Sequence, residues 1–138
     1  MLFNKVKSFL PILFFIVITV FTRFSFLNWG NGYFFNPDEN NMATSIIQMT
    51  PKNLNPNFFA YGQFPLFLTF FTTPNHNFST IILTMRFWSA IFSSLSILFF
   101  YFICLNIFKS KKISYLFSLL LIFTPGLIQS AHFGTTES

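Results

Sequence analysis

The chain has 138 residues, of which 53% are hydrophobic and only 8% are charged, and its formal net charge is +5. An ordinary soluble domain carries about 25% charged residues, so this composition could not cover the surface of a soluble fold. The same hydrophobicity excludes a disordered chain. Because Cys104 is the only cysteine, a disulfide scaffold is excluded as well. The composition therefore indicates a membrane protein.

The basic residues are scattered beside long apolar segments and do not form one patch. In membrane proteins, Lys and Arg residues of this kind mark the cytoplasmic ends of spans. We therefore expect a multi-pass protein of the cell membrane, with membrane lipid as a partner and no nucleic acid.

The first apolar stretch covers residues 9–27, follows Lys5 and Lys7, and contains Arg23. At about 1.5 Å per residue, a helix of this length crosses the hydrocarbon core if the Arg23 side chain extends to the interface. A secretory signal peptide is the alternative interpretation. Bulky aromatic residues stand where a cleavage site would need small ones, which favours an uncleaved first span.

Residues 28–77 are polar and rich in Gly and Pro, which predicts an outer loop with short helices. Asn36 and Pro37 are typical of a helix start, with Glu39 at the capping-box position. We predict an amphipathic helix over residues 37–49 that lies on the membrane surface.

Three further segments are apolar. Residues 58–73 lie within this loop, and residues 81–108 and 113–131 follow it. The first of them is short and contains Gly62, Gln63 and Pro65, whereas the other two are predicted to be the second and third spans. The predicted fold class is therefore an all-α membrane protein with about three transmembrane helices and short amphipathic helices in the first outer loop.

The charge pattern decides whether residues 58–73 cross the membrane. The positive-inside rule places Lys5 and Lys7 on the cytoplasmic side, together with the lysines at 109, 111 and 112. An even number of crossings must separate the two basic clusters, so residues 58–73 are expected to be re-entrant or interfacial. The amino terminus then faces the cytoplasm, and loop 28–77 and the carboxyl-terminal end face outward.

All three acidic residues fall on that outer side: Asp38 and Glu39 in the loop, and Glu137 near His132 after the third span. Two acidic patches from separate outer loops could converge over a membrane-embedded substrate, one acting as a general base and the other orienting a metal or an acceptor hydroxyl. The loop acids also complement the dipole of the predicted helix. Capping and catalysis are compatible interpretations.

These features occur in an order that resembles the amino-terminal part of the C-type (GT-C) integral-membrane glycosyltransferases. The resemblance is to the branch of dolichyl-phosphate-mannose protein mannosyltransferases and bacterial aminoarabinose transferases, and it covers essentially the whole chain. The matching features, in order, are Arg23, Pro37-Asp38-Glu39, Gly62-Gln63-Phe64-Pro65-Leu66, Arg86-Phe87-Trp88-Ser89-Ala90, and Ser130-Ala131-His132-Phe133-Gly134-Thr135-Thr136-Glu137.

The resemblance implies transfer of a sugar, with inversion, from a polyprenyl-phosphate-linked donor to a hydroxyl on the outer face of the membrane. The acceptor would be a lipid, a glycan or a protein. Members of the family are several times longer, so the resemblance implies that residues 1–138 are the amino-terminal part of a larger polytopic domain or a truncated gene product.

The resemblance also assigns roles to residues. It implies that Asp38 is the catalytic base with Glu39 as its partner, and that Glu137 helps to build the same site. No cofactor is certain, and a divalent metal stays open, with Asp38 and Glu137 as its candidate ligands. The candidates for binding substrate, above all the donor phosphate, are Lys52, Arg86 and His132.

The alternative function is a small non-catalytic membrane protein or a transporter fragment whose acids only cap helices. In that case Asp38→Asn would be nearly silent, because asparagine still caps a helix, whereas Asn36→Ala should cost about 1 kcal/mol. A transporter would need ionisable groups at mid-membrane depth, and the interiors of the predicted spans offer mainly Ser and Thr. Arg23, Arg86 and Lys52 would then only mark helix ends.

Overall fold

The structure is a computed structural model that describes the backbone of residues 2–135 and the side chains of residues 12–135. All regular elements in this part of the chain are helices, apart from an isolated bridge between Thr50 and Asn53. The all-α fold class is therefore confirmed. The helices are α1 (Leu2–Phe24), α2 (Pro37–Gln48), α3 (Phe64–Thr72), α4 (Phe78–Phe108), α5 (Lys111–Ile122) and α6 (Pro125–Ala131).

Helix α4 is the central element, and every other helix packs against it. Its 31 residues give a length of about 46 Å, which exceeds the roughly 30 Å hydrocarbon core of a bilayer. Within the described residues, α4 is the one helix that is long and apolar enough to cross a membrane by itself. The described apolar part of α1 is shorter, at Ile12–Phe24.

Helices α5 and α6 together are a second candidate span, broken by a bend of 63°. The break lies at Phe123 and Thr124, directly before Pro125. Proline has no backbone N–H, so it removes a helical hydrogen bond and interrupts the helix. The bend directs α6 back towards α1, with which it is in contact.

Helix α2 buries its apolar side inside the protein. Met42, Ala43 and Ile46 pack against a layer formed by α3 and α4. The sequence predicted an amphipathic helix on the membrane surface. Its apolar side packs on an apolar surface of α3 and α4, which the sequence of α2 alone does not reveal, and its position relative to the membrane stays a prediction. The residues of α3 and α4 in this cluster are Leu66, Phe70, Ile81, Ile82 and Met85.

Candidate functional site

Glu39 and Arg86 form a fully buried ion pair near the amino-terminal end of α4. Arg86 donates from Nε to Glu39 Oε1 at 2.8 Å and from Nη2 to Glu39 Oε2 at 2.7 Å. Both side chains have 0% exposure. Two parallel charge-assisted bonds of this kind combine strength with a fixed geometry. The pair therefore locks α2 to α4 in one arrangement.

The start of α2 delivers Glu39 to this position. The Asn36 side chain accepts hydrogen bonds from the backbone N–H groups of Asp38 and Glu39, at 2.9 and 3.2 Å, and Pro37 occupies the first turn. Glu39 then lies on the same buried side of α2 as Met42 and Ala43, three and four residues on. Its carboxylate bonds to Arg86 and Gly134, so it does not fold back to complete the predicted capping box.

The third nitrogen of the Arg86 guanidinium, Nη1, bonds to the segment that follows α1. Nη1 donates to the carbonyl oxygens of Leu27 and Trp29, at 2.9 and 3.1 Å. The guanidinium carbon also lies 4.3 Å from the centre of the Trp29 ring, within the range of a cation–π interaction. The Arg86 guanidinium thus bonds to Glu39 and to the segment after α1, and it also lies over the Trp29 ring.

Gly134 connects the segment after α6 to the same carboxylate. Its backbone N–H donates to Glu39 Oε1 at 2.6 Å. A Cβ atom at this position would lie 2.6 Å from Met85 Cβ and 3.2 Å from the Arg86 backbone nitrogen. Only glycine permits so close an approach to α4. Glu39 therefore joins α2, α4 and the segment that follows α6.

Glu137 lies outside the described residues. Its contacts stay a prediction.

Asp38 differs sharply from its neighbour Glu39. Its carboxylate is half-buried, and no hydrogen bond or ion pair within residues 12–135 engages it. The helix cap is made by Asn36, so Asp38 is not needed for that purpose. The structure thus separates the two adjacent acids into one that is fully bonded and one whose carboxylate has no partner among the residues that it describes.

His132 lies at the end of α6, with both ring nitrogens directed at carbonyl oxygens. Nδ1 lies 2.7 Å from Ile128 O and Nε2 lies 2.7 Å from Ser25 O. Carbonyl oxygens only accept hydrogen bonds, so the ring satisfies both contacts when it carries two N–H groups. The His132 carbonyl oxygen in turn accepts from Trp29 Nε1 at 2.9 Å. The residue therefore fastens α6 to the segment after α1.

Lys52 is exposed in the turn closed by the bridge between Thr50 and Asn53. No ion pair within the described part of the chain joins it to an acid. Within the same residues, no three His, Cys, Asp or Glu side chains come together as a potential metal site. Of the two candidate metal ligands, Asp38 is described, and Glu137 is not.

Arg23 is fully buried, whereas its position in the first apolar stretch predicted a side chain that extends to the interface. Nε donates to Ser93 Oγ at 2.9 Å, and Nη1 donates to Ile122 O at 3.0 Å and to Thr22 Oγ1 at 3.2 Å. Hydroxyl and carbonyl groups inside the helix bundle therefore take the place of water and lipid headgroups around this guanidinium.

A cavity of about 250 Å³ adjoins the ion-pair cluster, since Gly134 and Met85 line it. Its wall combines aromatic rings of α3 and α4 with hydroxyl groups, and Trp88 in this wall donates from Nε1 to Thr72 Oγ1 at 2.9 Å. Ligand pockets combine apolar walls with a few polar groups in this way. The remaining lining residues are Phe64, Pro65, Thr69, Ser89, Phe92 and Thr135.

Sequence reasoning identified Glu39 and Arg86 separately and missed that they pair. A signal was present, because a buried charge in an apolar helix needs a partner and the chain has only three acids. The roles of Trp29 and Gly134 were also missed. Nothing in local spacing connects these two residues to an acid in another loop.

The fold and this site define a helical membrane protein in which the longest apolar helix carries a buried arginine paired with an acid of the first loop. The family model of the dolichyl-phosphate-mannose-protein mannosyltransferases matches residues 13–138. The chain belongs to this family, as the resemblance predicted, and membership indicates a membrane glycosyltransferase of the mannosyltransferase type. Searches of curated proteins and of solved structures found no match to the chain.

Proposed function

We propose that this protein transfers a sugar from a polyprenyl-phosphate-linked donor to a hydroxyl acceptor on the outer face of the membrane, and that Asp38 is the general base. The observation that carries the proposal is the contrast between the two adjacent acids. Glu39 is bonded to Arg86 and Gly134, whereas the Asp38 carboxylate has no partner within the described residues.

A general base must be held in position and still be free to accept a proton. Glu39 provides the first condition for Asp38, because its bonds to Arg86 and Gly134 fix the first turn of α2. The absence of a bonded partner among the described residues provides the second condition. In this proposal Glu39 and Arg86 are positioning residues, and Asp38 contacts the acceptor.

The reaction follows from these roles. Asp38 removes the proton from the acceptor hydroxyl as its oxygen forms a bond to the anomeric carbon. The bond between that carbon and the phosphate oxygen breaks, and the polyprenyl phosphate leaves with the electron pair. Attack opposite to the leaving group inverts the configuration. A phosphate leaving group needs positive charge nearby, and the exposed Lys52 and the half-buried His132 are the candidates that do not pair with an acid in the described residues.

The proposal places the active face outside a multi-pass membrane domain, with the amino terminus in the cytoplasm. The charge pattern supports this orientation, because the positive-inside rule assigns Lys5 and Lys7, and the lysines at 109, 111 and 112, to the same cytoplasmic side. The donor needs no nucleotide-binding domain, since its lipid tail anchors it in the bilayer. In this proposal Glu137 also contributes to the site.

The test uses the whole chain in liposomes, with dolichyl-phosphate mannose as the donor probe and a Ser/Thr peptide as the acceptor probe. We expect Asp38→Asn to lower kcat by about 10²- to 10⁴-fold. It should leave the thermal unfolding temperature unchanged, because Asn36 forms the cap and the Asp38 carboxylate bonds to no group among the described residues.

The neighbouring variant Glu39→Gln is the matched control, because it removes the adjacent carboxylate at nearly constant volume. It should lower the unfolding temperature as well as the rate. An Asp38→Asn variant that transfers mannose at the wild-type rate would refute the role of Asp38. A wild-type chain that transfers nothing would favour the non-catalytic alternative.

A further inference from the structure

Arg23 joins three helices through one side chain. It lies in the last turn of α1, donates from Nε to Ser93 Oγ of α4, and donates from Nη1 to the carbonyl oxygen of Ile122 at the end of α5. These bonds measure 2.9 and 3.0 Å, and Arg23 has 0% exposure. The Arg23 guanidinium thus bonds to α4 and to α5 at the same time.

The Ile122 carbonyl that Arg23 contacts is one of those that the break between α5 and α6 leaves without a backbone donor. In a continuous helix this oxygen would accept from the backbone N–H of Gly126, four residues on. The chain bends by 63° at this point, and no backbone N–H of the described residues takes that place. Arg23 supplies the missing donor, and a buried carbonyl without one would be costly.

The direction of α6 matters for the candidate site because the chain runs from this helix to Gly134. The Gly134 N–H must lie against Glu39 Oε1, which it contacts at 2.6 Å. A change in the bend would swing the end of α6 and draw Gly134 away from α4.

We propose that Arg23 is a positioning residue: by bonding the Ile122 carbonyl, it sets the bend between α5 and α6 and thereby holds Gly134 against Glu39. Its importance for sugar transfer rests on the proposed function. The effect of Arg23 on the direction of α6 does not depend on the proposed function.

Two other roles for Arg23 fit the structure less well. A residue that marks a helix end or binds lipid phosphate needs access to the membrane surface, and Arg23 is fully buried. A structural ion pair needs a carboxylate, and no acid of the described residues pairs with Arg23. Arg23 therefore contributes through the geometry of its hydrogen bonds. A lysine cannot reproduce this geometry, because its ammonium group lacks the planar set of donors of a guanidinium.

The experiment measures the distance between spin labels at Asn106 on α4 and Gln129 on α6, both exposed, in the whole chain in nanodiscs. Cys104 is changed to Ala in all samples so that only the introduced cysteines are labelled. We expect Arg23→Met and Arg23→Lys both to broaden the distance distribution and to shift its main peak, on the order of 5 Å or one helical turn. Ser93→Ala should leave it in place, because the bond to Ile122 survives.

A second label pair, at Thr44 on α2 and Asn106 on α4, reports packing in which Arg23 takes no part. It should stay unchanged in the Arg23 variants. An unchanged Asn106–Gln129 distance in Arg23→Met would overturn the proposal, and a wild-type distance in Arg23→Lys would mean that charge alone suffices. A shift of both pairs would assign Arg23 to general stability instead of positioning.

Rate measurements separate this inference from the proposed function. If Asp38 is the base and Arg23 acts through Gly134, Arg23→Lys should lower kcat at least tenfold and change the KM for dolichyl-phosphate mannose by less than twofold. A wild-type chain without transfer activity, combined with the expected distance shift, would refute the proposed function and leave the positioning role intact.

Discussion

Two arginines are fully buried in this protein, and their surroundings differ. Arg86 meets a carboxylate, two backbone carbonyls and an aromatic ring, whereas Arg23 meets only neutral oxygens. Ser93, the α4 partner of Arg23, lies seven residues beyond Arg86 on the same helix, about 10 Å further along its axis.

The comparison shows two ways of accommodating a buried guanidinium. At Arg86 the charge is neutralised, so the site depends on both partners being present. At Arg23 the hydrogen bonds are satisfied for two of the three nitrogens, and Nη2 has no partner among the described residues. Arg86 organises loops around an acid, and Arg23 joins helices.

The largest effect that tests this difference is expected from Glu39→Gln. Removing the carboxylate leaves the Arg86 charge buried without a counter-charge, which costs about 3–5 kcal/mol of stability. Thermal unfolding in detergent micelles measures the loss. The loss should exceed that of Arg23→Met, which removes a charge without stranding another.

A double variant, Glu39→Leu with Arg86→Met, separates charge burial from packing. It should recover much of the stability lost in Glu39→Gln, because no unpaired charge is left. An unfolding temperature for Glu39→Gln equal to that of the wild type would mean that the ion pair adds nothing, and the contrast between the two arginines would then disappear.

Gly134→Ala tests the backbone approach that completes the Arg86 site. The new methyl group would overlap Met85, and forcing it into this contact should cost about 2 kcal/mol. Gly126→Ala is the matched control on the Arg23 side of α6, because a Cβ there meets no atom within 4 Å. Unfolding curves of the two variants measured side by side should differ, and equal stabilities would argue against close packing at Gly134.

The smallest effect is expected at the cap that brings Glu39 to Arg86. Asn36→Ala removes the acceptor for two backbone N–H groups and should cost about 1 kcal/mol, whereas Asn36→Ser retains an acceptor and should cost less. The difference in unfolding temperature between these two variants checks the role of the cap. If Ala and Ser behave alike, Glu39 does not depend on the cap for its position.

The local sequence pattern was sufficient to predict some elements of this fold. Asn36 and Pro37 predicted the start of a helix, and the structure places the helix cap at Asn36. The apolar length of residues 81–108 predicted a span, and α4 covers them. In each case the signal lies within a few consecutive residues, so it does not depend on the rest of the fold.

The candidate site was predicted only as separate residues. The identities of Asp38, Glu39 and Arg86 were visible, but the division of labour between the two acids was not. It depends on which side of α2 faces α4, and that side is chosen by the apolar layer around Met42 and Met85. Gly134 was visible as part of the terminal motif, and its bond to Glu39 connects residues 95 positions apart.

The sequence by itself determined the membrane class, the helical fold and the family, because composition, apolar length and the order of short motifs are properties of the chain alone. Tertiary structure decided which charges pair, where α6 points and which acid keeps a carboxylate without a described partner. These outcomes depend on contacts between segments far apart in sequence, where a single hydrogen bond or a missing Cβ determines how closely two helices approach.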